Sequence, residues 1–451
     1  MKTKPSPFTF FGGIHPAYNK GLSAGSPIRA IEMPRLLTVP MSQHLGAPAT
    51  PDVNVGDIVR KNQLIGKQNG TTSASVHAPA TGKVIAIGET VTAAGRPCEA
   101  VIIEPTEPND ETTEHLTQIA NWKNTATSLL QKRIGDAGIV GMGGAGFPTK
   151  IKLSPPASKP INTLILNGAE CEPYLTSDHR LMLERAEGIR QGAEIIRAIL
   201  GAKTVRIAIE DNKPDAIAIM GKAFADMEGD VEIFVLKTGY PQGAEKQQIY
   251  SVTGRKVPRG GLPMDIGCVV ENVGTAYAIF DAVVNGQPLT HRVISVTGDA
   301  ITEPSNLLVP NGTSYADLIA ACGGTQRKAT KVISGGPMMG FAVNSLNVPT
   351  SKTTSGVLLL SADNVSCYTS QACISCGRCV DVCPMRLIPS EMSQFIEAEE
   401  IDSAENLNVR DCIECGSCAY VCPAKRPLVH HFRRGKAVIT AKRVAATAKQ
   451  K

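Results

Sequence analysis

The sequence predicts a multidomain protein of α/β plus β class, on three observations. Eight of its thirteen cysteines repeat one spacing inside a single stretch. Strand and helix signals alternate from about residue 115 to residue 290, at lengths that suit a mostly parallel sheet with helices on its faces. Ahead of them, from about Met33 to Glu104, short strands separated by turn signals run without a helical period. At 451 residues the chain has room for about three or four domains, each able to bury its own core. With 42% hydrophobic residues and no uninterrupted apolar run near 18 residues, no transmembrane helix is expected, so any membrane link runs through partners or surface charge. An aromatic content of 4%, with basic residues not interleaved with stacking side chains, argues against nucleic acid as a partner.

The elements follow in order. Within residues 1–114, Val53–Val59 and Val76–Val84 stand out as strands, and Val76-His77-Ala78-Pro79-Ala80-Thr81-Gly82-Lys83-Val84 resembles the descending half of a biotinyl/lipoyl hairpin, a barrel-sandwich hybrid. Carriers of that fold hold their cofactor on a lysine at the hairpin tip; here the tip falls near Thr71, which cannot form the amide, so the domain reads as an interaction module. After a polar stretch around residues 105–114 comes the central α/β domain, residues 115–290. Its expected elements are a helix at Asn124–Arg133, a glycine loop, a strand at Ile161–Asn167 and a long amphipathic helix from Asp178 to Leu200 capped by Ser177. Strands at Thr204–Ile209 and Val231–Lys237 then alternate with helices at Pro214–Met227 and Gly243–Thr253, and a helix at Val273–Val284 closes the unit. Residues 291–355, with VISVTGD, a turn-rich stretch at residues 304–312 and a short helix at Tyr315–Ala321, read as a β-grasp-like (SLBB) module. The cysteine-rich domain occupies residues 356–435, with a helical insert near Glu391–Glu399 between its halves. The basic tail, residues 436–451, ends a stretch from Lys425 with nine Lys or Arg and no Asp or Glu. It reads as a flexible solvated end, or as a contact for anionic lipid or an acidic partner.

The cysteine spacing carries the strongest chemistry. Cys373-x2-Cys376-x2-Cys379-x3-Cys383-Pro384 is repeated as Cys412-x2-Cys415-x2-Cys418-x3-Cys422-Pro423. Three thiolates two residues apart wrap one face of a cubane, and the fourth, displaced and turned by proline, reaches the other cubane. This assigns one 4Fe–4S cluster to Cys373, Cys376, Cys379 and Cys422, and the other to Cys412, Cys415, Cys418 and Cys383. The domain is therefore expected to be ferredoxin-like and to move electrons. Zinc ribbons compete with this reading but need only paired Cys-x2-Cys. Disulfides compete too, yet the opening MKTKPSPFTFFGG has a four-residue apolar patch and no signal-peptide pattern.

A second candidate site lies in GMGGAGFPTKIK, residues 141–152. Gly141-x-Gly143-x-x-Gly146 is a weak dinucleotide fingerprint by itself, because a helix and only a brief apolar run precede it. Asn167-Gly168-Ala169-Glu170-Cys171-Glu172-Pro173 comes off a strand end, where open α/β sheets bind ligands. Glycines there let backbone N–H groups approach phosphate and Lys152 can neutralise it.

GMGGAGFPTKIK, NGAECEP, YPQGAEKQ and VVENVGT, in that order, resemble the flavin- and NADH-binding subunit of respiratory complex I, which usually has arginine where this chain has Met142. With FGGIHPAYNKG, GRKVPRGGLPMDIG and CAYVCPAKRPLV, nearly the whole chain resembles the C subunit of the Rnf (Rsx) ion-translocating electron transport complex. The resemblance implies FMN, NAD(H) and two 4Fe–4S clusters, in a subunit that passes electrons between NADH and ferredoxin. It also implies partners in a membrane complex, including a ferredoxin-like subunit, at the cytoplasmic face of the bacterial inner membrane. Carried over by position, Gly141, Gly143, Gly144, Lys152, Asn167, Glu170, Gly243, Asn272 and Thr275 should line the FMN, and Phe147, Glu172, Tyr240 and Glu245 should border the nicotinamide nucleotide. Ala169 stands where complex I has aspartate and Glu271 where it has asparagine. Cys171, flanked by carboxylates, is expected to be an inert thiol, Cys98, Cys268, Cys322 and Cys367 structural, and His430 and His431 surface residues. Two rivals stay open: a soluble cobalamin reductase-like flavin and iron–sulfur protein, and a non-catalytic adaptor that carries only a cluster wire.

Overall fold

The computed structural model describes residues 2–106, 114, 116–365 and 371–449. Its centre is a five-stranded parallel sheet in the order Lys2–Pro5, Asp230–Leu236, Thr204–Glu210, Thr163–Gly168 and Cys268–Asn272. The inner strands read as near-continuous apolar runs because both faces are covered. Leu164 and Leu166 point to the helices Thr127–Asp136, Ala186–Leu200, Pro214–Ala223 and Val273–Val284, while Ile165 points to the helix Glu245–Thr253. Successive strands step outward from Thr163–Gly168 and then return to place Cys268–Asn272 on its other side. That reversal leaves a crevice at the carboxyl ends of these two strands, the usual ligand position of an open α/β sheet.

Three expected helices differ in extent. The first runs Thr127–Asp136, after a 3-10 turn at Trp122–Asn124. The long helix breaks at Arg185 (φ −131°, ψ 23°) into Ser177–Glu184 and Ala186–Leu200, so that each piece follows its own partner. Ser177–Glu184 takes the backbone N–H of Ile28 on Glu184, whereas Ala186–Leu200 lies against Val273–Val284. Only glycine permits the second contact, since a Cβ at Gly192 would stand 1.8 Å from the Ala276 carbonyl oxygen. The third, expected to reach Met227, ends at Ala223.

The barrel-sandwich region closes a four-stranded sheet (Leu37–Pro40, Pro97–Pro105, Gly82–Val91, Ile58–Val59) over a three-stranded one (Thr50–Pro51, Leu64–Lys67, Val76–His77). Leu37, Val39, Val59, Ile65, Val76 and Val101 fill the space between them. A six-stranded sheet follows, ordered Phe341–Val343, Lys331–Ser334, Gly356–Leu360, His291–Thr297, Ser305–Pro310 and Ile28–Ala30. Two early segments thus lace into later parts of the chain: Lys2–Pro5 joins the central sheet and Ile28–Ala30 the six-stranded one.

In the cysteine-rich domain the helical insert expected near Glu391–Glu399 is a helix pair, Pro389–Glu397 and Ile401–Asn406. The basic tail starts within a helix: Leu428–Lys449 is one helix whose Leu428, Phe432 and Ile439 pack on Met392, Ile396, Ile401 and Ala404, while residues 440–446 are exposed on it. Its cations face acids of the helix pair and the second cysteine run, as in Lys442–Asp402 (2.6 Å), Arg443–Glu405 (2.5 Å), Lys436–Glu414 (2.7 Å) and Arg433–Glu414 (3.0 Å). Among the described residues no helix is long and apolar enough to cross a membrane.

Candidate cofactor sites

Asn272 organises the crevice. It ends the strand Cys268–Asn272 and caps the helix Val273–Val284, accepting N–H from Gly274 (2.8 Å) and Thr275 (3.4 Å) on Oδ1 while Nδ2 donates to Asp178 (2.6 Å). Thr275 Oγ1 accepts the Met142 N–H at 3.0 Å, which draws the glycine loop over the positive end of this helix. Gly143 is needed there, because a Cβ would stand 2.9 Å from that of Asn272. Gly141 closes the loop through the Phe147 carbonyl at 2.9 Å, leaving Gly143 and Gly144 exposed and Phe147 half-buried at the rim. Asn167, at the other strand end, donates to the Gly243 carbonyl (2.9 Å) and accepts from Ala169 N (3.1 Å) and Gln248 Nε2 (2.9 Å).

Lys152 behaves differently from expectation. Its ammonium lies 3.1 Å from Glu245 and 3.9 Å from Glu271 and also donates to the Val270 carbonyl, so its charge is already met by carboxylates rather than kept for a phosphate. Burial works against that ammonium, but Glu271 and Glu245 outweigh it and hold its pKa above the ordinary lysine value. Burial raises the pKa of Glu271, which is 1% exposed and has one carboxylate oxygen without a hydrogen-bond partner.

Glu170 and Glu172 sit one layer back from the open loop. Glu170 accepts the N–H of Asp178 (2.7 Å) and His179 (3.3 Å), so it caps the helix that Ser177 was expected to cap. Beside it, burial and the Glu170 charge push the Asp178 carboxyl up to about 6. Glu172 accepts the N–H of Met338 (3.2 Å) and Met339 (2.8 Å), and burial pushes its pKa up to about 7. Tyr240, 1% exposed, donates its hydroxyl to the Cys415 carbonyl at 2.7 Å. The side chains expected from Glu172 and Tyr240 at the nucleotide border therefore face the junction with the cysteine domain instead. Cys171 fits an inert thiol, pushed up to about 12 by burial and Glu210, with its sulfur accepting the Gly243 N–H at 3.2 Å.

Residues from outside the α/β domain also hold the glycine loop. Arg292 donates to the carbonyls of Met142 (2.9 Å) and Lys352 (2.6 Å), and Lys352 Nζ to those of Gly138 (2.7 Å) and Ser75 (2.6 Å). Leu45 N–H reaches the Gly146 carbonyl at 3.1 Å. Lys352 is 1% exposed, and desolvation lowers its pKa to about 7. Its neutral amine would keep two N–H groups for the two carbonyls. Sequence carried no sign of it, since SKTTSG reads as an exposed polar turn.

The cysteines gather in two quartets around two cavities. One is lined by Cys373, Cys376, Cys379 and Cys422; the other by Cys383, Cys412, Cys415 and Cys418. Each cavity thus combines three thiols of one run with the last of the other. The halves share a backbone, with left-handed φ at Ser375 (53°) and Glu414 (56°) and at Gly377 (75°) and Gly416 (81°). Those turns aim N–H groups at sulfur: Ser375 N on Cys373 (3.4 Å), Glu414 N on Cys412 (3.3 Å) and, after the fourth cysteine, Leu387 N on Cys383 (3.3 Å). Among the described residues no three His, Cys, Asp or Glu converge as one metal ion requires, whereas tetrahedral zinc would draw four sulfurs to within about 4 Å of each other. The twelve described cysteines are free of disulfides, and Cys367 lies outside the described residues. Four thiols spread around an apolar cavity, with N–H groups on sulfur, fit a cubane. His430 is exposed, and His431 pairs with Ser393 Oγ at 2.7 Å.

Comparison with known proteins agrees with this division. Residues 8–108 match the RnfC barrel sandwich hybrid domain, 134–281 the Nuo51 FMN-binding domain, 293–342 the SLBB domain and 372–425 the 4Fe-4S dicluster domain. A solved NAD+-reducing [NiFe]-hydrogenase in its air-oxidized state matches in fold alone, with TM-score 0.50 and 19% identity over 73% of this chain and 69% of that one. Among curated relatives, the C subunit of the proton-translocating ferredoxin:NAD(+) oxidoreductase complex of Clostridium ljungdahlii is 47% identical over 94% of this chain and 93% of its own length. The corresponding C subunit of the Na(+)-translocating complex of Acetobacterium woodii is 44% identical over 96% and 98%, and that of the ion-translocating oxidoreductase complex of Rhodobacter capsulatus 43% over 96% and 83%. With four domains in the same order and identity sustained along nearly the whole length, the chain belongs to the family of C subunits of ion-translocating ferredoxin:NAD(+) oxidoreductase complexes.

Proposed function

We propose that this chain passes electrons between NAD(H) and a ferredoxin-like partner subunit, using FMN in the crevice and two 4Fe–4S clusters, as a peripheral subunit at the cytoplasmic face of a membrane complex. The observation that carries the reading is the junction between the centres. Tyr240, on the loop between the sheet strand Asp230–Leu236 and the Gly243 turn that Asn167 holds, donates to the Cys415 carbonyl of one quartet, while the other quartet has Cys376 exposed. A bound flavin would convert two-electron hydride chemistry into single electrons, which cubanes accept one at a time.

The chain's own residues supply binding and orientation. Exposed N–H groups at Gly143 and Gly144, above the N-terminus of Val273–Val284, suit a phosphate. Asn167 ties the Gly243 turn to the strand end and fixes the crevice wall. Lys152, between Glu245 and Glu271, sets the local charge rather than adding a free cation. Phe147 and Glu245, both half-buried beside the loop, remain the best borders for a nicotinamide. Crossed ligation by Cys373, Cys376, Cys379 and Cys422, and by Cys383, Cys412, Cys415 and Cys418, is supported by the grouping of these thiols around the two cavities.

The deciding experiment is anaerobic isolation with iron, sulfide and flavin analysis, followed by spectra before and after NADH. About eight irons per chain, flavin retention and bleaching by NADH are expected. Iron without flavin, and spectra unmoved by NADH, would reduce the chain to a cluster-bearing adaptor.

A further inference from the structure

Between the carboxyl edge of the central sheet and the quartet of Cys383, Cys412, Cys415 and Cys418 lies one layer of chain, residues 12–14. Gly13 N donates to the carbonyl of Val382, the neighbour of Cys383, at 2.9 Å. Ile14 exchanges two backbone hydrogen bonds with Tyr240, at 2.8 and 2.9 Å. Two of the four cysteines are thus held from one residue of the α/β domain: Cys415 directly by the Tyr240 phenol and Cys383 through Ile14, Gly13 and Val382. Ile14, Tyr240 and Cys415 close an apolar contact that includes Val382, Ile413 and Met338. Gln247 adds a bond from Nε2 to the Pro384 carbonyl at 3.2 Å.

The glycines of FGGIHP explain how the layer stays so thin. Gly12 and Gly13 adopt φ of 72° and 83°. A Cβ at Gly12 would stand 2.8 Å from the Val382 oxygen, and one at Gly13 2.7 Å from the Tyr240 oxygen. A side chain at either place would wedge the cysteine domain off the sheet.

A buried phenol needs an acceptor, and this one has chosen the peptide of a cysteine that lines the cavity. The donated O–H points its positive end at that peptide. Cluster potentials respond to hydrogen bonds and to the charge that surrounds the ligands. Added positive potential favours the reduced, more negative state.

Resting on the cluster reading proposed above, we infer that Tyr240 and residues 12–14 are positioning elements that seat the buried quartet against the α/β domain and raise the potential of the cluster it holds, leaving the outer cluster untouched. Potentiometric EPR on the full reconstituted chain tests this. In Tyr240→Phe, iron content should stay at the wild-type level while one of two midpoints moves negative and the other holds. Two unmoved midpoints, or two equal shifts, would overturn the assignment. Gly12→Ala keeps the phenol but pushes on Val382, so NADH-driven reduction of that same cluster should slow several-fold, with its iron retained. An unchanged rate would refute the spacing role. A wild-type chain that takes up no four-iron cluster defeats the cluster reading itself, which separates the two failures.

Discussion

The cysteine domain and the glycine loop solve the problem of holding a cofactor in opposite ways. Both quartets come from one stretch, with matched turns at Ser375 and Glu414 and a helix, Leu428–Lys449, that covers them from the same stretch's end. The glycine loop is held by Leu45 and Ser75 from the barrel-sandwich region and by Arg292 and Lys352 from the β-rich module and its flank. One site is therefore local and repeated, the other assembled from distant segments. A local site tolerates loosening elsewhere, whereas an assembled one registers every shift among its supports.

Cysteine loss is the strongest way to sharpen this contrast. Cys415→Ala should cost one cluster and block NADH-driven reduction of the other, whereas Cys376→Ala should cost one cluster and leave the remaining one reducible, both read by iron content and EPR. Equal behaviour of the two variants would break the inner and outer distinction. Next in size is Lys352→Met, which leaves the Ser75 and Gly138 carbonyls buried without donors, at roughly 1–3 kcal/mol each. Denaturant melts should show a loss of about 4 kcal/mol with flavin retention falling while iron content holds.

Acid should also act on the assembled region first. Burial and the nearby Lys352 lower the His77 pKa to about 3, against about 6.5 for an unfolded imidazole. The unfolded chain therefore takes up this proton first, so the stability is intact above pH 6.5 and falls as pH drops through the window toward 3. Relative to His77→Gln, wild type should lose about 2 kcal/mol between pH 6.5 and 4.5, measured by chemical denaturation at each pH. The smallest effect belongs to the surface pairs of the last helix. Lys442→Ala should change stability by less than about 1 kcal/mol and move neither cluster midpoint, because its partner Asp402 is exposed.

How much of this was legible from sequence follows the same division. The quartets could be read because spacing alone decides which thiols meet, and the order of the α/β elements because buried parallel strands leave long apolar runs. The supports of the glycine loop could not, because Arg292 and Lys352 act through backbone carbonyls far away in sequence and carry no spacing. Lys152 was read as a free cation, and only the fold brings Glu271 and Glu245 beside it. Ser177 looked like a helix cap by residue type, yet the left-handed turn at Glu170 (φ 44°) delivers a carboxylate to that helix end first. The ion pairs of the basic tail were not legible because their acids lie 22 to 40 residues earlier with no fixed spacing, from Glu414 for Lys436 to Asp402 for Lys442.

The edge strand Lys2–Pro5 has a bearing on synthesis. Lys4 meets Glu232 across a separation of 228 residues, so at the usual 5–20 residues per second a ribosome needs on the order of 10–45 s to deliver the partner. Throughout that interval the leading segment has no sheet to join. Its two lysines and its proline make it a poor template for stray pairing while it waits. The sheet that carries the cofactor crevice can close its outer edge only after the strand at residues 230–236 has emerged, which ties completion of the catalytic half to vectorial translation rather than to local propensity.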